Sequence, residues 1–297
     1  MFKNLNASAL GVSGHQSEII ELALTYGFQG MDVDIVELAT RAKLHGVPYA
    51  RRLIDSARIR IGTFRLPLEW DIDDDLFKSE LEKLPEYAGL AAEIGCTRCV
   101  ATIAPAGDKR PYHENFEFHR HRFSRICKAL EPFKVSLGVG FRAAAQLRQS
   151  QAFQFIHDFD ALSLLVNMVD ASNVGILLDV WDLHVSGGSL ENIRGLSADQ
   201  IVSVQLADVP PEATSPAELT EASRMLPAEE GGLDLPAFLV ALAEVGYRGP
   251  VTLKPDRRAL AGRRRDRIVR QVGGTLTKIW KAAGLTSEGK LAAPAGS

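Results

Sequence analysis

The fold is decided by a short apolar run, Val174-Gly175-Ile176-Leu177-Leu178, which leads into Asp179. Such a run is typical of a strand that is covered on both faces in a parallel sheet. Other segments along the chain have a similar strand-like pattern and alternate with longer segments of helical periodicity. The candidate strands are Ala7–Val12, Gly30–Asp34, Arg60–Arg65, Arg98–Ile103, Val135–Phe141, Val174–Val180, Ile201–Ala207 and Val251–Lys254.

The segments between these strands have the apolar spacing of helices. Predicted helices are Ser17–Tyr26, Asp75–Ile94, Asp158–Val169 and Leu235–Val245, and three of them are followed directly by a glycine that can close a helix. The regular alternation of strand and helix predicts an α/β protein with a single (β/α)8 TIM barrel in residues 1–285. The segment Val209–Leu226 is expected to be a long loop over the barrel mouth, and residues 286–297 a disordered C-terminal tail.

Composition narrows the classes of function. Of the 297 residues, 46% are hydrophobic and 24% are charged, and the net charge is -3, as in an ordinary globular protein. A nucleic-acid binder normally presents a basic face, so we expect no nucleic-acid partner. No signal peptide is visible and no run approaches the roughly 18 apolar residues of a membrane helix, which favours a cytoplasmic protein without a membrane partner.

Short motifs occur in a fixed order along most of the chain, from about residue 5 to residue 284. They include Asn115-Phe116-Glu117-Phe118-His119-Arg120, Gly175-Ile176-Leu177-Leu178-Asp179-Val180-Trp181, Val204-Gln205-Leu206-Ala207-Asp208, Arg224-Met225-Leu226-Pro227 and Gly246-Tyr247-Arg248-Gly249-Pro250-Val251. In this order the motifs resemble the sugar phosphate isomerase/epimerase family, which has a xylose isomerase-like TIM barrel and belongs to the AP endonuclease family 2 superfamily. The resemblance implies the same barrel for this chain.

The resemblance also implies a metal site. In that family, Mn, Mg, Co or Zn binds at the C-terminal mouth of the barrel through Glu, Asp, His and Glu, and assists proton abstraction next to a carbonyl. The matching positions in this sequence are Gly140, Asp179, Gln205 and Lys254. Only Asp179 keeps the residue type of the family, so the sequence predicts that the metal site is lost and that no metal cofactor is bound.

Lys254 places an ammonium group where the resemblance expects the last metal ligand. A buried Asp179 without a cation would be costly, so we expect Lys254 to pair with Asp179, with Asp182 as a second partner. The alternative is that Lys254 points to solvent. Asp179 and Lys254 are therefore the candidate catalytic residues.

Six residues near the predicted mouth are candidates for substrate binding: Gln205, Asp182, Trp181, Arg224, Asp208 and His184. Arg224 matches a family arginine that reaches the substrate, but it could equally be a surface arginine of its loop. Trp181 could stack on a sugar or pack at the barrel rim. Asp208 could bind substrate hydroxyls or the backbone of its own loop, whereas a structural or solvent-facing role is favoured for His184.

Two functions stay open at this point. The first is metal-independent aldose–ketose isomerisation or epimerisation of a sugar or related polyol. The second is a non-catalytic pseudoenzyme barrel that binds a carbohydrate or a partner subunit, such as a second copy or a metal-competent paralogue. An AP-endonuclease-like nuclease would need a cluster of metal ligands and a basic groove, and the sequence indicates neither.

Overall fold

The computed structural model describes residues 1–212, 215–228 and 231–292, apart from the side chain of Ala217. Parallel strands hydrogen bond to one another in a closed ring, which the pairing of Phe2 with Pro250 completes. The strands are β1 (Phe2–Leu5), β2 (Gly30–Val33), β3 (Arg60–Arg65), β4 (Arg98–Thr102), β5 (Ser136–Gly140), β6 (Val174–Asp179), β7 (Ile201–Leu206) and β8 (Pro250–Leu253). The (β/α)8 TIM barrel predicted from the sequence is confirmed.

The first strand is the one strand prediction that is wrong. The true β1 precedes the predicted segment Ala7–Val12, in which Ser8–Leu10 forms a 3-10 turn and Gly11 has a φ of 70°. Leu10 and Val12 are buried from this loop, which explains the strand-like pattern. The sequence does not indicate the real strand, because Lys3 and Asn4 interrupt its apolar pattern. The other predicted strands agree with the structure to within about one residue at each end.

Helices surround the barrel. They are α1 (Gln16–Thr25), α2 (Ile35–His45), α3 (Val47–Ala57), α4 (Asp74–Leu81), α5 (Leu84–Glu93), α6 (Tyr112–Leu130), α7 (Phe159–Met168), α8 (Val180–Val185), α9 (Leu190–Arg194), α10 (Leu235–Glu244) and α11 (Arg265–Ala282). The predicted helix Asp75–Ile94 is two helices, because Pro85 has no N–H for a continuous helical ladder and instead lies in the first turn of α5. Among the described helices, none has the length and hydrophobicity to cross a membrane.

The chain after β7 returns to the barrel mouth. Asp208 and Met225 pair through two backbone hydrogen bonds of 2.9 Å, which brings Arg224 back beside the strand ends. Residues 213 and 214 of this predicted loop lie outside the described residues. In the predicted disordered tail, residues 286–292 instead form a turn in which Trp280 donates to the carbonyl of Thr286 at 2.9 Å. Residues 293–297 lie outside the described part, where disorder stays a prediction.

Candidate functional site

The side chain of Arg224 lies between two buried carboxylates at the C-terminal mouth of the barrel. Its Nη1 donates to Oδ1 and Oδ2 of Asp179 at 3.0 and 2.9 Å, and its Nη2 donates to Oδ2 of Asp182 at 2.5 Å. Exposure is 4% for Arg224, 6% for Asp179 and 1% for Asp182. This set of three residues, the Arg224 cluster, is therefore a buried ion network with little room for solvent.

Local backbone structure holds the two carboxylates in place. Asp179 ends β6 and caps α8, where its Oδ1 accepts from the amides of Trp181 and Asp182 at 3.1 and 3.3 Å. Asp182 accepts from the amide of Ala143, in the segment after β5, at 2.8 Å. Both oxygens of each carboxylate therefore already accept at least one hydrogen bond, and both side chains are almost fully buried.

Three further contacts hold Arg224 in place, two through its guanidinium and one through its backbone. Its Nε donates to Glu221 at 3.0 Å, and its Cζ lies 4.2 Å from the centroid of the Trp181 ring. The backbone carbonyl of Arg224 accepts from the amide of Asp256 at 2.8 Å. A planar guanidinium suits this arrangement because it can bind two carboxylates and stack on an aromatic face at the same time.

Lys254 lies at the edge of the Arg224 cluster. Its Nζ is 3.4 Å from Oδ2 of Asp179 and donates to Oε1 of Gln205 at 2.8 Å. The Lys254 side chain is 33% exposed. The expected pairing of Lys254 with Asp179 is present, but Arg224 makes the shorter contacts, and the expected second pairing, with Asp182, is made by Arg224 instead.

The two carboxylates have opposite pKa shifts. Burial alone would raise the pKa of Asp179, but the charges of Arg224 and Lys254 outweigh it and hold that pKa below its ordinary value. Burial and the neighbouring Asp179 carboxylate raise the pKa of Asp182 to about 7. The charges of Asp179, Asp182 and Glu221 raise the pKa of Arg224 despite its burial. The cluster therefore keeps Asp179 ionised and Arg224 cationic at neutral pH.

At the first predicted metal-ligand position, Gly140 is packed against a neighbouring strand. A Cβ atom at this position would lie 3.1 Å from Cδ2 and 3.3 Å from the carbonyl oxygen of Leu177. Within residues 1–212, 215–228 and 231–292, no three His, Cys, Asp or Glu side chains are grouped in a way that could hold a metal ion.

Two of the remaining predicted site residues, Trp181 and Asp208, are almost fully buried. Trp181 is 0% exposed and packs with Ala144, Ala207 and Leu219, so it has no free face on which a sugar could stack. Asp208 is 2% exposed, and its Oδ1 accepts from the amides of Val209 and Leu233.

His184 lies in α8 and is half-buried, and burial lowers its pKa. Of the two alternatives for Arg224, a surface position is wrong, whereas contact with a substrate stays a prediction. Its side chain is instead buried against the two aspartates.

Sequence reasoning missed two features of the mouth. Glu221 forms ion pairs with Arg224 and Arg142, at 3.0 and 3.2 Å. In the sequence, only the spacing of three residues between Glu221 and Arg224 indicated such a contact. Asp32 in β2 accepts hydrogen bonds from Asn4 and from the amide of Thr63. Here the signal was a charged residue between the apolar residues Met31 and Val33.

These features define a (β/α)8 barrel with charged residues gathered at the C-terminal ends of its strands. The family model for the xylose isomerase-like TIM barrel matches residues 20–273, and the chain belongs to this family.

Curated relatives match only part of the chain. A 3-dehydroshikimate dehydratase of Pseudomonas aeruginosa is 33% identical over 118 residues, which are 40% of this chain and 18% of that enzyme. An inosose isomerase of Bacillus subtilis is 27% identical over 131 residues, 44% of each chain. The matched stretch thus spans about a fifth of the dehydratase and less than half of the isomerase.

Solved structures match nearly the whole chain. A xylose isomerase domain protein from Alicyclobacillus acidocaldarius superposes with a TM-score of 0.86 at 23% identity, over 95% of this chain and 99% of that one. The IolI protein with a bound zinc atom gives a TM-score of 0.77 at 18% identity, over 96% and 98%. At these identities the likeness concerns the fold alone.

Proposed function

We propose that this barrel binds a sugar or related polyol and has exchanged the metal centre of its family for the Arg224 cluster. The observation that carries the exchange of the metal centre is the guanidinium of Arg224, which contacts both oxygens of Asp179 and one oxygen of Asp182 in a site at most 6% exposed. The inosose isomerase that matches part of the chain suggests the class of ligand. On this view, the positive charge that a divalent ion would supply comes from Arg224 and Lys254.

The residues at the family's ligand positions do not fit a divalent metal. Gly140 offers no donor atom, and both oxygens of Asp179 already accept hydrogen bonds from Arg224. The amide oxygen of Gln205 accepts from Lys254, whose own charge would repel a metal ion. A metal would have to displace two cations to reach a single carboxylate, so we expect none to bind at this position.

Metal-free isomerisation or epimerisation is the second candidate function. It is favoured by Asp182, whose pKa of about 7 suits a base at neutral pH, and by the partly exposed ammonium of Lys254. Against it, Asp182 is 1% exposed and its two oxygens already accept hydrogen bonds from Ala143 and Arg224. Binding without turnover is therefore the reading that the geometry supports better.

Elemental analysis of purified protein, before and after loading with Mn²⁺ and Zn²⁺, tests the loss of the metal centre. We expect less than about one tenth of an equivalent of metal after gel filtration, and no difference between the native chain and Asp179→Asn. One equivalent of metal that disappears in Asp179→Asn would overturn the proposal.

A proton-exchange assay in deuterated water separates binding from catalysis. The named relatives suggest 3-dehydroshikimate and inosose as first compounds, followed by a panel of common sugars. We expect a ligand-induced rise in melting temperature with at least one compound and no exchange of carbon-bound hydrogen. Exchange that Lys254→Ala abolishes and Arg194→Ala leaves intact would support metal-free catalysis, and no thermal shift with any compound would contradict the binding proposal.

A further inference from the structure

An exposed patch of arginines lies where the chain leaves β8 and enters α11. Residues 257–270 contain seven arginines, no lysine and one acidic residue, Asp266. All seven arginines are exposed, although the net charge of the whole chain is -3. The patch is therefore a local concentration of positive charge on an acidic protein. We call it the arginine patch, and its members are Arg257, Arg258, Arg263, Arg264, Arg265, Arg267 and Arg270.

The packing of α11 turns this surface outwards. The apolar side of the helix, which includes Ile268 and Val272, is buried against the barrel, whereas Arg267 and Arg270 are exposed. Arg267 and Arg270 are three residues apart, so they lie on the same side of the first turns of the helix. The exposed guanidinium groups are thus presented on a regular element of the scaffold.

Four members of the arginine patch have no counter-ion. In the part of the chain that the structure describes, no carboxylate lies within ion-pair distance of Arg257, Arg263, Arg267 or Arg270. Arg263 has a neutral partner instead, the side-chain oxygen of Gln271 at 3.0 Å. These four guanidinium groups are available to negative charges outside the chain.

Two other members show how the patch binds carboxylates. Arg265 contacts both oxygens of Glu18, since its Nη1 donates to Oε2 at 3.0 Å and its Nη2 to Oε1 at 2.6 Å. Nε of Arg258 donates to both oxygens of Asp256, at 3.1 and 2.9 Å. Contacts with both oxygens of a carboxylate are those that a guanidinium makes most strongly.

The surroundings of the patch favour a protein partner over a membrane or a nucleic acid. None of the large exposed apolar side chains of the described residues lies within residues 257–282, so nothing there can insert into a bilayer. The one aromatic residue of that range, Trp280, is 4% exposed and cannot stack on a base. Arginine without lysine is typical of protein interfaces, where arginine is enriched and lysine is depleted.

A second copy of the chain fits the patch less well. A two-fold contact centred on the patch would place the arginines of one copy against the same arginines of the other. Like charges at short distance repel one another. The charge of the patch therefore requires a partner of the opposite sign.

We propose that the arginine patch binds an acidic segment, rich in aspartate and glutamate, of a partner protein. The four arginines without counter-ions each bind a carboxylate of that segment, which lies along the first turns of α11. The paired arginines add to the positive potential around them. None of these arginines belongs to the Arg224 cluster, so the binding does not depend on what occupies the barrel mouth.

Fluorescence anisotropy with a labelled peptide of alternating glutamate and alanine measures this binding, at an ionic strength of about 0.15 M. We expect a Kd below about 1 mM for the native chain. A fourfold variant should weaken the binding at least about tenfold, because it removes the unpaired cations and keeps the paired ones. Its substitutions are Arg257→Gln, Arg263→Gln, Arg267→Gln and Arg270→Gln.

A second fourfold variant is the matched control, with Arg52→Gln, Arg60→Gln, Arg65→Gln and Arg248→Gln. These arginines are also exposed and have no ion-pair partner among the described residues. Their replacement lowers the net charge by the same amount, and the Kd should stay within about twofold of the native value. Because both variants change exposed side chains, their melting temperatures should stay close to that of the native chain.

Several results would overturn the proposal. A Kd above about 1 mM would mean that the patch does not bind acidic segments, and an equal loss in both variants would mean that only net charge matters. Tighter binding of duplex DNA, or of vesicles with equal parts of phosphatidylserine and phosphatidylcholine, would assign the patch to a phosphate-bearing partner. Self-association in sedimentation velocity that the first variant abolishes would assign it to a second copy. None of these results bears on the metal content or the ligand of the barrel mouth.

Discussion

The two sides of the barrel mouth each hold an aspartate, but the two carboxylates have different partners. Beside β6, the carboxylate of Asp179 is paired with Arg224, and its pKa is held below the ordinary value. Beside β2, Asp32 accepts only neutral hydrogen bonds in the described structure, and burial raises its pKa to about 6. The comparison teaches that a fixed cation keeps a carboxylate ionised within the scaffold, whereas a carboxylate with only neutral partners has a raised pKa.

Removal of Arg224 should have the largest effect. Arg224→Met leaves Asp179 and Asp182 buried without their main cation, and a broken buried ion pair typically costs about 3–5 kcal/mol. Urea denaturation should therefore show a loss of about this size in the free energy of unfolding. Arg194→Met is the control, because Arg194 makes only exposed pairs with Glu191 and Glu244 and should cost less than about 1 kcal/mol.

The charge explanation for Arg224 can be checked with a further variant. If unpaired carboxylates cause the loss, Arg224→Met combined with Asp179→Asn and Asp182→Asn should recover a large part of it. A loss below about 1 kcal/mol for Arg224→Met alone would show that the two sides of the mouth do not differ in the way described.

Lys254→Met should have a smaller effect, of about 1 kcal/mol. Lys254 is one-third exposed, lies 3.4 Å from Asp179, and makes one hydrogen bond to Gln205. The measurement is the same urea denaturation. A cost equal to that of Arg224→Met would mean that Lys254, and not Arg224, is the main counter-ion of Asp179.

The last effect is the pH dependence that Asp32 contributes to the free energy of unfolding. Its pKa rises from 3.8 in the unfolded chain to about 6 in the folded one, so the folded state holds the extra proton between these values. The free energy of unfolding of the native chain, taken relative to Asp32→Asn, should therefore fall as the pH rises from about 4 to about 6 and stay level above that.

Denaturation of both proteins at pH 4, 5, 6 and 7 measures this difference, since the other titrating groups are common to both. A relative stability that rises with pH would mean that the pKa of Asp32 is depressed in the folded state. The contrast between Asp32 and Asp179 would then be lost.

The fold could be predicted from the sequence because buried parallel strands such as β6 are apolar throughout and are separated by helices with clear ends. Strand β1 could not be predicted, because its polar residue Asn4 faces the barrel interior. There it binds Asp32 and Thr252, which come close to it only when the ring of strands is closed. The pairing of Lys254 with Asp179 followed from the family resemblance, which places both residues at strand ends around the same mouth.

The role of Arg224 did not follow from the sequence in the same way. It depends on how a loop folds back over the mouth, where the backbone pairing of Asp208 with Met225 fixes its position. The surroundings of Asp32 could not be predicted for a related reason. A single charged residue in a strand does not indicate which residues of the neighbouring strands will contact it.

The packing of Gly140 against Leu177 has a consequence for the history of such a chain. Any side chain at position 140 would press on Cδ2 and the carbonyl oxygen of Leu177, at 3.1 and 3.3 Å from its first carbon. A single mutation from glycine to glutamate would thus require Leu177 to move by a few tenths of an ångström, while Arg224 and Lys254 would still occupy Asp179. If the metal centre has been exchanged as proposed, its recovery would therefore need several coupled changes.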